Sequence, residues 1–251
     1  MKAGAGVVLV STLVLATLAF IPTSTGMEGV RVAIYTDRGI DATSRIALER
    51  MFSWMHADVN VIEPSVIWDG GLDDYDILAM PSGCWCTERC EILGEEMDII
   101  LEFISNGGSY SGIDRGASYA TSFRLGLFNG SYIPDLNGAD TFLLELDVCQ
   151  DSIGPDLSEE PASYTLLYDA SGYFEADDMS GIIPIMTYPG TGLPAMIAFI
   201  YGNGTAFLSS PHPEYEEGSD RDGTDIYDSL EDPDSEWDFM LKICRWLVNG
   251  S

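Results

Sequence analysis

Residues 103–121 read FISNGGSYSGIDRGASYAT, and the order of signals within this stretch decides the fold. Apolar Ile92, Leu93, Met97, Ile100, Leu101 and Ile104 recur at helical spacing, so residues 92–105 read as a helix that Asn106, Gly107 and Gly108 close. Residues 109–113 then make a short strand running straight into Asp114-Arg115-Gly116, and a second helix begins within residues 117–123. A strand bounded by helices is the unit of a parallel sheet whose crossovers are right-handed.

Working upstream, residues 75–80 (YDILAM) form a strand ended by Pro81 and a cysteine-bearing loop. Residues 59–62 give another strand. Residues 30–36 (VRVAIYT) are apolar and β-branched enough for a buried one, and residues 46–56 repeat apolar side chains at helical spacing. Downstream the character changes. Residues 141–146, 164–168, 182–188, 195–201 and 205–209 are strand-like runs separated by Gly, Pro and acidic turns, and residues 236–248 close the chain with an amphipathic helix. The expected fold is α/β: a flavodoxin-like, doubly wound, mostly parallel sheet with added β-strands in the second half. In such a sheet ligands bind at the strands' C-terminal ends.

Three segments fall at such ends: the loop holding Ser82 and Gly83, the turn at Asp114, and the segment SSPHPE with His212 and Glu214. Gly112-Ile113-Asp114-Arg115-Gly116 has the strand-x-x-Gly-helix form of a nucleophile elbow, which holds a side chain at a helix N-terminus close to backbone N–H donors. His212 and Glu214 have the spacing of a base and the acid that orients it. The other histidine, His56, ends an ordinary amphipathic helix.

In order and spacing, the segments VAIYTDRG, DILAMPSG, FISNGGSYSGIDRGASYAT, YDASGYF and AMIAFIYGNGTAFLSSPHPE resemble the class I glutamine amidotransferase-like superfamily. Within it they look most like the domain at the N-terminus of some biotin-protein ligases. The resemblance covers most of residues 30–248. It implies one amidotransferase-like domain over residues 27–251, with His212 as base and Glu214 as its orienter, and with Ser82, Gly83, Arg115 and Gly116 around an oxyanion pocket. Two positions depart from the family pattern. The elbow cysteine is Asp114, and the first glycine of the Pro-Gly-Gly loop is Ser82. A carboxylate attacking an amide carbonyl would give an anhydride, higher in energy than the amide, so glutaminase activity is not expected.

Three roles for Asp114 remain open at this level. It caps the following helix or pairs with Arg115; it works as nucleophile or base with His212 and Glu214; or the three ligate a divalent cation. The leading expectation is a pseudoenzyme that binds a small polar ligand or a protein partner, with a hydrolase as the alternative. A structural surface protein is the third reading, in which Tyr119, Tyr173 or Tyr215 fills the pocket. The sequence implies no cofactor.

Composition narrows the setting. Residues 1–26 read as a targeting segment, with Lys2, an apolar run over residues 7–21 and small residues after it. The run is short for a membrane span, which favours a cleaved signal over an uncleaved anchor, and hence a secreted or extracytoplasmic protein. Sequons at Asn129, Asn203 and Asn249 fit that setting. A formal charge of −30, from 41 acids against 11 bases, excludes nucleic acid as a natural partner. Acids crowd residues 69–76, 147–160 and 214–238. They read as a solvated surface in preference to a cation site, because residues 216–234 lack the regular ligand spacing of a calcium loop. Of five cysteines, Cys84, Cys86 and Cys90 share one loop without usual zinc spacing, while Cys149 and Cys244 lie far apart. Disulfides of unassigned connectivity are expected among them.

Overall fold

The computed structural model describes residues 26–83, 96–134, 136–232 and 234–250. The first half winds as β1 (Arg31–Tyr35), α1 (Ala42–Trp54), β2 (Asp58–Ile62), α2 (Pro64–Trp68), β3 (Ile77–Met80), α3 (Glu96–Ser105), β4 (Ser109–Ile113) and α4 (Arg115–Tyr119). Then come β5 (Ser131–Ile133), β6 (Thr141–Val148), β7 (Ser163–Asp169), β8 (Tyr173–Glu175), β9 (Ile182–Thr187), β10 (Pro194–Tyr201), β11 (Gly204–Ser209) and α5 (Trp237–Asn249). Among the described residues, nine strands make one sheet in the order β2-β1-β3-β4-β11-β10-β9-β6-β7, and β5 pairs with β8 in a separate ribbon. The first five in that order are mutually parallel. The remaining four join antiparallel, which is the strand-rich addition the second half predicts.

Period-two alternation sorts each central strand between two cores. Val32, Ile34, Ile77, Ala79, Ile113 and Phe207 face a layer formed by Leu48, Met51 and Phe52 of α1 and Trp237, Met240, Ile243 and Leu247 of α5. Ala33, Tyr35, Leu78, Met80, Tyr110, Ala206 and Leu208 face Ile67 of α2, Ile100, Phe103 and Ile104 of α3 and Ala117 of α4. The sheet is thus covered on both sides. Burying one such large side chain contributes about 1.5–3 kcal/mol, so β3, β4 and β11, buried along their whole length, form a stiff floor. The edge strand β2 keeps Asp58 and Asn60 exposed, which discourages pairing with another chain.

Several local expectations are corrected. The helix after Asp114 covers Arg115–Tyr119 and begins earlier than the apolar pattern of residues 117–123 suggests, because the elbow bends directly into it. His56 lies past the end of α1 with a positive φ of 64° and so does not belong to that helix. Cys149 and Cys244 are free thiols, so the expected disulfides do not include them; Cys84, Cys86 and Cys90 lie outside the described residues. The buried Cys244 sits on the inner face of α5, where burial raises its thiol to about 12 and makes it an inert core residue. No described helix is long and apolar enough to cross a membrane, and residues 1–25 lie outside the described residues.

Candidate functional site

Because β4 and β11 are parallel neighbours, the loops leaving their C-terminal ends emerge side by side. The first of these loops opens with Asp114 and the second carries His212 and Glu214. The Asp114 backbone N–H donates to Ser209 O at 2.7 Å, stapling one loop to the other.

Asp114 sits at φ 45°, ψ −103°, a backbone conformation that costs a non-glycine residue roughly 1–3 kcal/mol. The turn is tight for a steric reason. A Cβ on Gly116 would lie 2.1 Å from Met80 O, and one on Gly112 would lie 2.8 Å from the Gly116 backbone. Glycines therefore let the start of α4 settle on the end of β3, and the bend lifts the residue 114 side chain above the sheet.

That side chain is buried and held from several sides. Ser82 Oγ donates to Asp114 Oδ2 at 2.6 Å, and Arg115 Nε lies 3.6 Å from the same oxygen. The Tyr132 hydroxyl donates to Oδ1 at 3.2 Å. Tyr132 in turn accepts from Ser210 Oγ at 3.3 Å, and Ser210 Oγ accepts from Gly172 N–H at 2.5 Å. The capping role expected for Asp114 is corrected here. It occupies the N-cap position of α4, but its carboxylate makes no capping bond because Ser82 and Tyr132 draw it to the opposite side. The expected pairing with Arg115 does form.

His212 follows β11 and is fixed by its backbone N–H donating to Leu167 O at 3.1 Å. Its Nδ1 lies 3.0 Å from Glu214 Oε1, and that oxygen also accepts from Ser44 Oγ at 2.8 Å. Ser44 Oγ accepts the Ser82 N–H at 3.1 Å. A continuous hydrogen-bonded path therefore runs from Ser82 through Ser44 and Glu214 to the imidazole. Glu214 is fully buried, and its carbonyl takes the Trp237 indole N–H at 3.2 Å. Tyr215 packs with its ring centroid 5.6 Å from that of His212 and its hydroxyl 2.9 Å from Thr43 Oγ1.

Two buried atoms of this dyad, His212 Nε2 and Glu214 Oε2, have no hydrogen-bond partner among the described residues. Burial alone would lower the His212 pKa, but the carboxylates of Glu214, Asp114 and Asp169 outweigh it and push the value up to about 9. The upward shift favours the imidazolium, the form in which Nε2–H is a hydrogen-bond donor.

Sequence reasoning thus brought together Asp114, Arg115, Gly116, Ser82, His212 and Glu214. It treated Ser82 and Gly83 as oxyanion donors, whereas the Ser82 N–H is occupied by Ser44 and Gly83 is engaged in a β-bridge with Ile40. No hydrogen bond joins Asp114 to His212; the aspartate acts on the ring through its charge. The ligand atoms of Asp114, His212 and Glu214 do not converge closely enough for one ion, and among the described residues the convergent trio lies elsewhere. Ser44, Tyr132 and Asp169 escaped the sequence reading. Ser44 alone left a trace, as a small polar residue on the buried face of α1.

No protein-family model matches this chain, and no curated protein matches it in sequence. Solved structures do. A glutamine amidotransferase from Thermotoga maritima superposes with a TM-score of 0.51 over 75% of this chain and 77% of its own, at 15% identity. A ThuA-like protein from Bacteroides uniformis superposes with a TM-score of 0.57 over 87% and 91%, at 13% identity. A β-galactosidase from Bacillus circulans sp. alkalophilus matches 88% of this chain with only 31% of its own, at a TM-score of 0.56 and 13% identity. At these identities the likeness is one of fold alone: a large, mostly parallel sheet covered by helices, shared with a glutamine amidotransferase and a ThuA-like protein.

Proposed function

We propose that this protein is an exported, biotin-protein-ligase-N-terminal-type member of the amidotransferase-like group that has lost cysteine chemistry and uses the elbow cleft to bind a small polar ligand. One observation carries the reading. The elbow side chain is a carboxylate whose two oxygens are tied down by Ser82, Arg115 and Tyr132, while the neighbouring His212 ring keeps a buried, unpartnered Nε2. A tethered carboxylate is a poor nucleophile and cannot form a stable acyl intermediate. A buried donor without a partner costs about 1–3 kcal/mol, which a ligand bearing a hydrogen-bond acceptor would recover. Export rests on the apolar N-terminal run and the sequons.

A hydrolase is the second reading, favoured by the His212 Nδ1 contact to Glu214, which leaves Nε2 free to activate water. With a pKa near 9, the ring would serve as a base only in alkaline solution. The two readings separate in one experiment: the wild type, Asp114→Asn and His212→Ala are screened for thermal shifts with a small-molecule library and for turnover with hydrolase substrates and glutamine. Binding supports the proposal when a ligand raises the wild-type melting temperature, His212→Ala abolishes the shift and nothing is turned over. Turnover that disappears in Asp114→Asn, rising with pH toward 9, would establish the hydrolase instead.

A further inference from the structure

A second cluster lies away from the elbow, on the connection between β11 and α5. Glu217 and Asp232 belong to that connection and Glu236 is the N-cap residue of α5, and one oxygen from each lies within 4.8 Å of the others. Such a separation matches two ligands across a calcium ion, whose bonds to oxygen are about 2.3–2.6 Å.

Acidic residues are abundant in this chain, but two of these three are buried and the third, Asp232, is half-buried. Glu236 is 1% exposed and Glu217 8% exposed, and Oε1 of each is buried without a hydrogen-bond partner. Asp232 uses Oδ1 to accept the Asp234 N–H at 3.0 Å, which leaves its buried Oδ2 unpartnered as well. The strongest charges acting on Glu236 are Asp232, Glu217 and Asp234, all acidic. By contrast, the nearby Glu216 is satisfied by Arg221 and Ser235, and Glu160 by Lys242 and Tyr164. Three carboxylates that meet in a largely buried space, each with one oxygen that no donor reaches, require either protons, as in a hydrogen bond shared between Glu217 and Asp232, or a cation.

We propose that Glu217, Asp232 and Glu236 form a binding site for one calcium ion that pins the β11–α5 connection to the start of α5. The donor set is oxygen only, which selects a hard cation over zinc or copper. Calcium suits it better than magnesium, because the three ligands come from irregular chain and a helix end, and calcium tolerates irregular coordination where magnesium demands an octahedron. The segment so pinned carries His212 and Glu214, and Trp237, next to Glu236, holds the Glu214 carbonyl.

The test uses the full chain stripped with EDTA and titrated with calcium chloride at pH 7.5 by calorimetry and thermal denaturation. The expected result is one saturable calcium per chain and a rise in melting temperature of about 5–10 °C at a hundredfold excess over the dissociation constant. Magnesium at the same concentration should give a smaller rise. Glu236→Gln should lose the calcium-dependent rise while melting, without calcium, at or above the wild-type temperature, since it removes a buried carboxyl whose ionisation opposes folding. Asp73→Asn with Asp74→Asn, on the exposed surface, should keep the full response. No saturable calcium in the wild type, or an undiminished response in Glu236→Gln, overturns the proposal and leaves protons as the means of neutralising the cluster.

Discussion

The hydroxyl of Ser82 donates a 2.6 Å hydrogen bond to the carboxylate of Asp114, joining the two positions that depart from the amidotransferase-like pattern. A glycine at 82 would leave Asp114 Oδ2 with the more distant Arg115, and a cysteine at 114 would leave the serine hydroxyl without its acceptor. The departures are therefore complementary. Charge-assisted hydrogen bonds of this kind contribute roughly 1.5–3 kcal/mol when buried. A double-mutant cycle of Ser82→Ala and Asp114→Asn, read by urea denaturation, should give a coupling energy of about 1–2 kcal/mol. Additive single effects would mean that the pair is adjacent without interacting.

The elbow itself rests on a steric requirement. Gly116→Ala would place a methyl group 2.1 Å from Met80 O, a clash with backbone that no rotamer can relieve. The expected loss is at least about 3 kcal/mol, with a fall in soluble yield. Gly138→Ala is the control. That glycine has a φ of 93° and no atom within 4 Å of the place a methyl group would take, so it should lose only about 1 kcal/mol through backbone strain. Equal stabilities for the two variants would contradict the close approach of α4 to β3.

How far the sequence speaks depends on the kind of interaction. The central strands were legible because β1, β3 and β4 are buried on both faces and so read as continuous apolar or small-residue runs. The elbow was legible because Gly112 and Gly116 mark the only backbone that fits there. The short β5–β8 ribbon left no comparable mark, since three residues such as Ser131–Ile133 cannot display a period. Within the site, His212 and Glu214 are two residues apart and their contact was readable. Tyr132 and Ser44 reach Asp114 and Glu214 across 18 and 170 residues, distances at which a single sequence carries no pairing information. Glu217, Asp232 and Glu236 blended into the acidic composition, because the burial of Glu217 and Glu236 and the convergence of all three, not their spacing, separate them from their neighbours.

Stability should fall as pH rises, the reverse of what a paired surface carboxylate produces. Burial, with help from the Asp232 and Glu214 charges, pushes Glu217 from 4.5 to about 8, and burial with Asp234 close by pushes Asp232 from 3.8 to about 7. In His212 burial is outweighed by Glu214, Asp114 and Asp169, and the value rises from 6.5 to about 9. Each group holds its proton more tightly folded than unfolded, so the native state carries the extra protons and the slope of stability against pH is negative. Through these groups the calcium-free protein should lose stability progressively from about pH 4 to about pH 9. His212→Gln should flatten the limb above about pH 6.5, and Glu217→Gln the limb between about pH 4.5 and pH 8. High salt would remove the part due to the −30 net charge but leave these buried contributions. A melting temperature that climbs from pH 5 to pH 9 would mean that these groups are ionised in the native protein in some other way.

One lysine carries an outsized structural burden. Lys242 is the only lysine besides Lys2, and it forms an ion pair with Oε1 of the buried Glu160, while the Tyr164 hydroxyl donates to Oε2 at 2.6 Å. The lysine side chain is 39% exposed, so water screens part of the attraction, yet Glu160 is too buried to be rehydrated once its partner is gone. Lys242→Met keeps the aliphatic stem and removes the charge, and it should cost about 1–2 kcal/mol in urea denaturation, most of it the penalty of a stranded carboxylate. Adding Glu160→Gln removes that carboxylate while keeping an acceptor for Tyr164, so the double variant should recover at least half of the loss. A double variant no more stable than Lys242→Met would mean that a stranded Glu160 carboxylate is not the source of the loss.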